Sequence, residues 1–210
     1  MTLHTDILTG RQMQMLRRLG PLFARGGFYL AGGTCLALRI GHRRSVDLDW
    51  FTGARFRDPL AFAQGLRQAG IAFTTDRIDV GSLLGRVSGV RVSLFEYAYP
   101  LLQRPTAWRE TGSRLASLPD LAAMKLSALA QRGSKKDFVD LFALIEQGVS
   151  LRRMLGWYQQ KYAVQDTAHL LYSLVYFEDA DPERMPRMTW RADWRGIKQR
   201  IREWVRANAR

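Results

Sequence analysis

The sequence contains almost no cysteine and no long hydrophobic segment. Its single cysteine, Cys35, excludes an internal disulfide framework and a cysteine-rich zinc site, and we interpret it as a small packed residue. No apolar run approaches the about 20 residues that cross a bilayer. The first residues also lack the basic start and the long apolar centre of a signal peptide. We therefore expect a cytoplasmic protein.

Acidic residues are scarce as well. The chain has 19 Asp and Glu against 32 Lys and Arg, which gives a net charge of +13. A charge this far from zero attracts polyanions such as nucleic acids. The last 24 positions alone hold eight basic and two acidic residues. Either this tail binds nucleic acid, or it is the solvated face of a helix in an arginine-rich protein.

Two short motifs near the N-terminus carry most of the functional information. Residues 29–34 combine a short apolar strand, the turn Gly32-Gly33 and Thr34 at the start of a helix. Glycines let the backbone approach a ligand closely, and the N-terminus of a helix attracts phosphate. Asp47 and Asp49 follow two residues apart, so on a strand they share one face. A phosphate cradle beside two carboxylates indicates metal-assisted nucleotidyl transfer.

Each motif alone has a plainer interpretation. A Gly-Gly-Thr sequence is often only a tight turn. An Asp-x-Asp sequence is often a solvated loop or one that resembles a calcium site. Their separation along this chain, between hydrophobic runs, favours the combined functional interpretation.

The pattern of residues predicts an α/β part followed by a helical part. Thr9 is a plausible N-cap for the first helix, and Ser88-Gly89 fits a two-residue hairpin turn. We expect helices at 9–24, 34–40, 58–70, 119–131, 135–147, 151–162, 167–177 and 189–208, and strands at 28–31, 46–51, 71–75, 82–87 and 90–95. We place two domains at 1–115 and 116–210, joined by a stretch at 100–118 that contains proline and glycine. A ligand is expected where the two parts meet.

Two strings of residues resemble the AbiEii/AbiGii toxin family of nucleotidyltransferases. The first is YLAGGTCLALRIGHRRSVDLDWF at 29–51, and the second combines KLSALAQR at 125–132 with KDFVDL at 136–141. The family belongs to the DNA polymerase β-like nucleotidyltransferase superfamily. The resemblance implies an α+β fold with a mixed or antiparallel sheet and helices, followed by a C-terminal helical bundle. It also implies transfer of a nucleotide from an NTP to an acceptor, with Mg²⁺ as cofactor.

The resemblance assigns roles to particular residues. Asp47 and Asp49 would hold Mg²⁺, and Lys125 would contact the phosphates. Asp137 would sit in the Lys-Asp signature of the family and join these three as a catalytic residue. The candidate nucleotide-binding residues are Gly32, Gly33, Thr34, Ser45, Lys125 and Arg132.

The third carboxylate of the superfamily is missing from its expected position. Superfamily enzymes commonly place it on the strand after the antiparallel meander, where this chain has Ser93. Glu96 is three residues further on and would face the opposite side of a regular strand. Two strand aspartates alone, Asp137, or a bulged Glu96 could complete the site, or the enzyme could be weak.

Several of these residues also have structural interpretations. Lys125 and Arg132 are seven residues apart and so share a helix face, where one could meet phosphate and the other a structural carboxylate. Ser134 and Asp137 have the spacing of a capping box. Ser45 could make a local turn hydrogen bond. His42 could orient a neighbour, contact phosphate, act as a base, or be purely structural.

The predicted terminal helix carries two stripes. One is apolar and indicates core packing, and it comprises Trp190, Trp194, Ile197, Ile201 and Trp204. The other is basic and is our candidate nucleic-acid-binding surface, and it comprises Arg191, Arg195, Lys198, Arg202 and Arg206. The basic stripe could equally contact an acidic antitoxin.

The functional prediction is a Mg²⁺-dependent nucleotidyltransferase with an RNA acceptor, for which tRNA is the first candidate. It would act as the toxin of a toxin–antitoxin or phage-defence pair, with a cognate antitoxin as partner. One alternative is nucleotidyl transfer to a protein side chain. The other is a catalytically inactive module that binds nucleotide or RNA.

Overall fold

A computed structural model of the chain describes residues 2–208 as a seven-stranded sheet packed with helices. The strands are β1 (Tyr29–Leu30), β2 (Leu48–Thr52), β3 (Phe73–Asp79), β4 (Ser82–Val87), β5 (Val90–Glu96), β6 (Thr106–Trp108) and β7 (Ser113–Leu115). The helices are α1 (Gly10–Arg25), α2 (Gly32–Ile40), α3 (Pro59–Gln68), α4 (Leu118–Gln131), α5 (Lys135–Glu146), α6 (Leu151–Tyr162), α7 (Ala168–Ser173) and α8 (Trp194–Asn208). No helix in residues 2–208 is long and apolar enough to cross a membrane.

The sheet is mixed, as the sequence predicts, and its strand order is β3-β4-β5-β2-β1-β7-β6. β2 is parallel to β5 and β1 is parallel to β7, whereas the other neighbours are antiparallel. β2, which carries Asp49, is therefore the central strand. This position surrounds Asp49 with ordered backbone on both sides.

The two faces of β2 differ in polarity. Leu48 and Trp50 are completely buried, and the Trp50 ring meets Phe23 of α1 edge-on at 5.0 Å. Asp49 and Phe51 alternate with them and are half-buried on the opposite face. The apolar positions thus fix the strand against α1, and the register leaves Asp49 on the other face. Asp47 lies just before β2, one position outside the strand, although we predicted a strand from residue 46.

Local sequence signals explain most of the element boundaries. Thr9 caps α1 in a reciprocal capping box with Gln12. Gly41 ends α2 in the left-handed conformation with φ of 75°. Ser88 and Gly89 both have positive φ, which is the requirement of the tight hairpin between β4 and β5.

The stretch at 100–118 is not the simple linker that we predicted. It contains β6 and β7, and β7 extends the sheet by pairing with β1 at Leu30 and Leu115. Three-residue strands are too short to show an alternating pattern, so only tertiary pairing reveals them. Gly20 of α1 permits this arrangement, because a Cβ there would lie 2.3 Å from the carbonyl oxygen of Thr111.

The last two helices are shorter than we predicted. α7 ends at Ser173, and the terminal helix begins at Trp194, so Trp190 and Arg191 lie before it. The segment before α8 pairs with a loop instead: the Arg44 amide donates to the carbonyl of Arg187 at 2.8 Å. The Asp193 carboxylate then accepts from the Gly196 amide at 2.7 Å. This bond caps the start of α8, which the apolar stripe alone did not predict.

The apolar stripe of the terminal helix is confirmed within α8. Ile197, Ile201 and Trp204 are buried, whereas Trp190 instead packs near His42 with the ring centres 6.0 Å apart. All seven strands lie before residue 116, and α4–α8 follow. One continuous buried core nevertheless runs through both parts. The division into domains at residue 115 stays a prediction.

Candidate active site

The glycine turn brings the start of α2 against the strand aspartates. Gly32 has φ of 63°, and a Cβ on it would lie 2.8 Å from Oδ2 of Asp49. A Cβ on Gly33 would lie 2.3 Å from Nη2 of Arg43. Both positions therefore require glycine, the first also for its left-handed backbone.

The N-terminus of α2 has no side-chain cap. The N-cap residue is Ala31, and the first helical bond at this end runs from the Cys35 amide to the Ala31 carbonyl at 3.3 Å. The N–H groups of residues 32–34 are thus the unsatisfied donors of the first turn. Because the helix dipole adds to these donors, this end suits a phosphate group.

Thr34 and Ser45 occupy different positions at this turn. The Thr34 side chain is buried, and its hydroxyl donates to the carbonyl of Asp47. The hydroxyl therefore ties the helix to the aspartate segment, and a phosphate-binding role for the backbone N–H of Thr34 stays a prediction. Ser45 is half-buried, and its Oγ would be 3.4 Å from a Cβ on Gly33, so it borders the turn.

Asp47 and Asp49 form a pair of carboxylates without a cationic partner. Neither makes an ion pair within residues 2–208. Burial raises the pKa of Asp49, and the negative charge of Asp47 raises it further, although a hydrogen bond from Ser93 opposes both. A cation between the two carboxylates would relieve this repulsion.

Ser93 occupies the place expected for a third carboxylate. It lies directly beside Asp49 in the β2–β5 pairing, on the same half-buried face. Glu96 pairs with Thr52 on the other face, and its Oε2 accepts from the Phe56 amide at 2.9 Å. Of the alternatives left open by the sequence, completion of the site by Glu96 is therefore wrong.

A buried ionic network lies behind the glycine turn and is centred on Asp140. Its carboxylate contacts His42 Nε2 at 2.7 Å, Arg43 Nε at 2.6 Å and Lys125 Nζ at 2.6 Å. Burial by itself would raise the pKa of Asp140, but Arg43 and Lys125 hold it well below its usual value. Asp140 lies in the family string at 136–141 without a predicted role, because only the fold brings it to residues 42 and 43.

His42 is part of this network. Its side chain is completely buried, and burial lowers its pKa, so the ring is neutral near pH 7. Nε2 faces Asp140, and Nδ1 is buried without a partner. Of the roles considered for His42, orienting a neighbour fits this position.

Asp137 belongs to the same network and not to the aspartate pair. Its carboxylate accepts from Lys125 at 3.0 Å, from Arg132 at 2.8 Å and from the Ser134 hydroxyl at 2.6 Å. Burial would raise its pKa, but Lys125 and Arg132 lower it to about 2. These donors occupy the oxygens of Asp137, and its role as a catalytic residue stays a prediction.

The predicted capping box at the start of α5 is also wrong in detail. The Ser134 side chain makes no capping bond to the helix backbone. It donates its hydroxyl to Asp137 instead. Ser134 and Asp137 are three positions apart, and this spacing lets Ser134 join the ionic network.

Lys125 and Arg132 share a helix face as predicted, and both reach Asp137. Lys125 is buried, and its ammonium lies between Asp137 and Asp140. Arg132 is more accessible, with 56% of its side chain exposed. A phosphate-binding role for either stays a prediction. Lys136, which we did not propose, is exposed and lies close enough to Asp49 to lower its pKa, so it is an additional candidate.

The donor set fits Mg²⁺ better than an ion that needs a full protein cage. Within residues 2–208 no group of three or more His, Cys, Asp or Glu side chains is placed to hold a metal. Mg²⁺ is commonly bound by one or two carboxylates together with substrate phosphates. Asp47 and Asp49 would supply the carboxylates, and the start of α2 would supply the phosphate site beside them.

The basic stripe of the terminal helix is partly engaged in packing. Lys198 forms an ion pair with Asp181 at 2.7 Å, and the Arg202 guanidinium lies 5.0 Å from the Phe177 ring centre. Arg195 and Arg206 are exposed on α8, and Arg191 is exposed before it. A groove of about 490 Å³ along α8 is lined by Arg195, Lys198, Gln199, Arg202, Glu203 and Arg206. Its binding of nucleic acid stays a prediction.

Comparison with known proteins gives a consistent match. The family described as "Nucleotidyl transferase AbiEii toxin, Type IV TA system" matches residues 14–100 and 99–207. An uncharacterized protein of Aquifex aeolicus is 37% identical over 187 residues, which is 84% of this chain and 86% of that protein.

Two solved structures share the fold. MenT4, a nucleotidyltransferase toxin of Mycobacterium tuberculosis, has a TM-score of 0.62 and 17% identity, over 93% of this chain and 80% of its own. A candidate nucleotidyltransferase of H. pylori has a TM-score of 0.57 and 15% identity, over 95% of both chains. These likenesses establish the fold.

Proposed function

Since the chain belongs to the AbiEii nucleotidyltransferase toxin family, we propose that it transfers a nucleotide from an NTP to an RNA acceptor with the help of Mg²⁺. The first candidate acceptor is tRNA. The protein would act as the toxin of a two-component pair, with a cognate antitoxin as partner. Both the family and the nucleotidyltransferase class are shown by the match, whereas the metal, the acceptor and the partner are part of the proposal.

One observation carries the proposal. Asp47 and Asp49 have no cationic partner in the described chain, and they lie beside the uncapped start of α2. The two carboxylates would hold Mg²⁺, and the ion would supply charge neutralisation for the transfer. Phosphoryl-type transfer asks mainly for positioning and charge neutralisation, and this site offers both.

The residues of the chain would divide the work as follows. The N–H groups of residues 32–34 would bind phosphate oxygens, and Ser93 would hold the Asp49 carboxylate in place by its hydrogen bond. Asp140 would hold the Arg43 guanidinium in place against Gly33 and so fix the conformation of the turn. Lys136 would add positive charge at the exposed edge.

The RNA acceptor is supported by charge. The net charge of +13 and the exposed arginines of α8 would attract a polyanion in a salt-dependent way. Ser93 favours one competing function, an inactive binding module, because a hydroxyl replaces the carboxylate of related enzymes. Transfer to a protein side chain is the other competing outcome.

Incubation with each α-labelled NTP, Mg²⁺, total RNA and cell protein tests the proposal. Label that is released by nuclease and not by protease is expected, and Asp47→Asn should reduce it by at least about 100-fold. Asp76→Asn is the matched control, since Asp76 is exposed and paired with Arg86 away from the site. Label that is released only by protease would move the acceptor to protein.

The inactive module makes a different prediction in the same experiment. Labelling would be absent for every NTP, while calorimetry would still detect binding of nucleotide or RNA. Equal labelling by wild type and Asp47→Asn would contradict the assignment of the metal site.

A further inference from the structure

The face of the sheet that carries Asp49 continues into a row of aromatic rings. Phe51 follows Asp49 two positions later, Phe95 pairs directly with Phe51, and their ring centres are 5.2 Å apart. Tyr29 lies beside Phe51 on the other side, stacked at 6.3 Å. Both phenylalanines are only half-buried. We call Tyr29, Phe51, Phe95, Tyr97 and Tyr162 the aromatic slot.

The slot is closed at its far end by α6. The Tyr97 and Tyr162 hydroxyls are 2.5 Å apart, and the Tyr97 ring meets Phe51 edge-on at 5.4 Å. Burial raises the pKa of the Tyr162 hydroxyl, and Ser127 of α4 lies close enough to lower it against this larger effect. The slot therefore has the sheet on one side and the helices α4 and α6 on the other, with Asp49 at its near end.

One polar group in the slot lacks a partner. The Tyr29 side chain is 3% exposed, and its hydroxyl makes no hydrogen bond in residues 2–208. Burial raises its pKa, and the neighbouring Asp120 and Tyr162 raise it further, so it remains a neutral phenol. Buried polar groups in folded proteins are nearly always paired. An unpaired phenol beside half-exposed rings indicates a group that a ligand would satisfy.

We propose that the aromatic slot receives the base of the NTP. This inference rests on the proposed function, because it takes the phosphates to lie at the start of α2. Two strand positions separate Asp49 from Phe51, which is about 7 Å, so a nucleotide with its phosphates near Asp49 places its base over these rings. Phe51 and Phe95 provide apolar ring surface, and Tyr29 provides one group that can donate or accept at the edge of the base.

Purely structural packing accounts for this cluster less well. A core cluster of this size would cover Phe51 and Phe95, as the fold does for Phe23 and Trp50 on the opposite face. The Tyr97 and Tyr162 hydroxyls pair with each other, whereas the Tyr29 hydroxyl, like the indole N–H of Trp50 in the core, has no partner within residues 2–208. Half-exposed rings and an unpaired hydroxyl occur together here on the face that carries Asp49.

Calorimetry with two ligands tests the proposal. Each NTP and inorganic tripolyphosphate, both with Mg²⁺, are titrated into wild type and the variants Phe51→Leu and Phe95→Leu. Base–aromatic stacking predicts about 5- to 100-fold weaker NTP binding in these variants, with tripolyphosphate binding unchanged. Phe142→Leu, the same change at a half-buried phenylalanine of α5, is the control and should alter neither.

The outcomes separate this inference from the proposed function. NTP binding that is unaffected by both slot variants would overturn the slot and leave the proposed function intact. Loss of affinity for tripolyphosphate as well would show a general disturbance and would also overturn it. If wild type bound neither ligand, the proposed function would fail together with the slot. Weaker binding of RNA oligonucleotides in the absence of NTP, with NTP binding unchanged, would assign the slot to the acceptor instead.

Tyr29→Phe tests the edge contact separately. It removes only the unpaired hydroxyl, so we expect unchanged or higher thermal stability. Affinity for the preferred NTP should fall by about 2- to 10-fold while tripolyphosphate affinity stays constant. Tyr172→Phe, at a tyrosine that is 77% exposed, is the control. An unchanged ranking of the four NTPs would show that Tyr29 does not read the base.

Discussion

Two pairs of aspartates lie close together in this protein and have opposite surroundings. Asp137 and Asp140 are completely buried and hold Lys125, Arg43 and Arg132 in ion pairs. Asp47 and Asp49 are half-buried and have no ion pair in the part of the chain that the structure describes.

The surroundings shift the pKa of Asp49 in the opposite direction to those of Asp137 and Asp140. Neighbouring cations lower the pKa of Asp137 and Asp140 despite burial, whereas burial and a like charge raise the pKa of Asp49. The first pair therefore stabilises the fold when ionised. Ionised Asp49 instead costs stability, and a bound cation would offset this cost. Equal residue types thus separate into a structural pair and a candidate metal-binding pair.

The largest expected effect is on stability when the buried pair is broken. Asp140→Ala leaves Arg43 and Lys125 buried without their main partner, which should lower the free energy of unfolding by about 3–5 kcal/mol. Asp47→Ala, in the half-buried pair, should change it by less than about 0.5 kcal/mol. Urea unfolding at pH 7 without Mg²⁺ measures both. Equal losses for the two variants would remove the distinction between the pairs.

The second effect is the response to acid. The pKa of Asp137 falls from 3.8 to about 2 on folding, so its contribution to stability is complete above about pH 4 and is lost as the pH falls towards 2. This contribution is about 2 kcal/mol, and Asp140 acts in the same direction. Urea unfolding between pH 7 and 2 should show the steepest loss below about pH 4. Asp137→Asn should flatten that loss, and an unchanged pH profile would contradict the role of this carboxylate.

The smallest expected effect is on the stability of a variant of Asp49 in the absence of metal. Asp49→Asn removes a carboxylate that burial and Asp47 disfavour, so stability without metal should be unchanged or higher by up to about 1 kcal/mol. Stabilisation by Mg²⁺ with NTP, measured as a shift in Tm, should disappear in the variant. Asp76→Asn should keep that shift. A large loss of stability without metal would place Asp49 among the structural carboxylates.

Much of the site was predictable because its signals are local. The glycine turn, the spacing of Asp47 and Asp49, and the helix end at Gly41 all depend on residues a few positions apart. The resemblance to the superfamily assigned Ser93 to the position of the third carboxylate, and the β2–β5 register places Ser93 beside Asp49. The short strands β6 and β7 and the true start of α8 escaped prediction, because pairing with distant segments decided them.

The class of fold and the family could be predicted from the sequence, since neighbouring residues encode a turn, an alternating strand and a helix cap. Which aspartates form ion pairs depends on the tertiary structure. Asp137 and Asp140 lie in a string that suggests catalysis, and folding surrounds them with cations from residues 43, 125 and 132. The pKa and the availability of a carboxylate depend on burial and on neighbouring charge, and both arise only when distant segments meet.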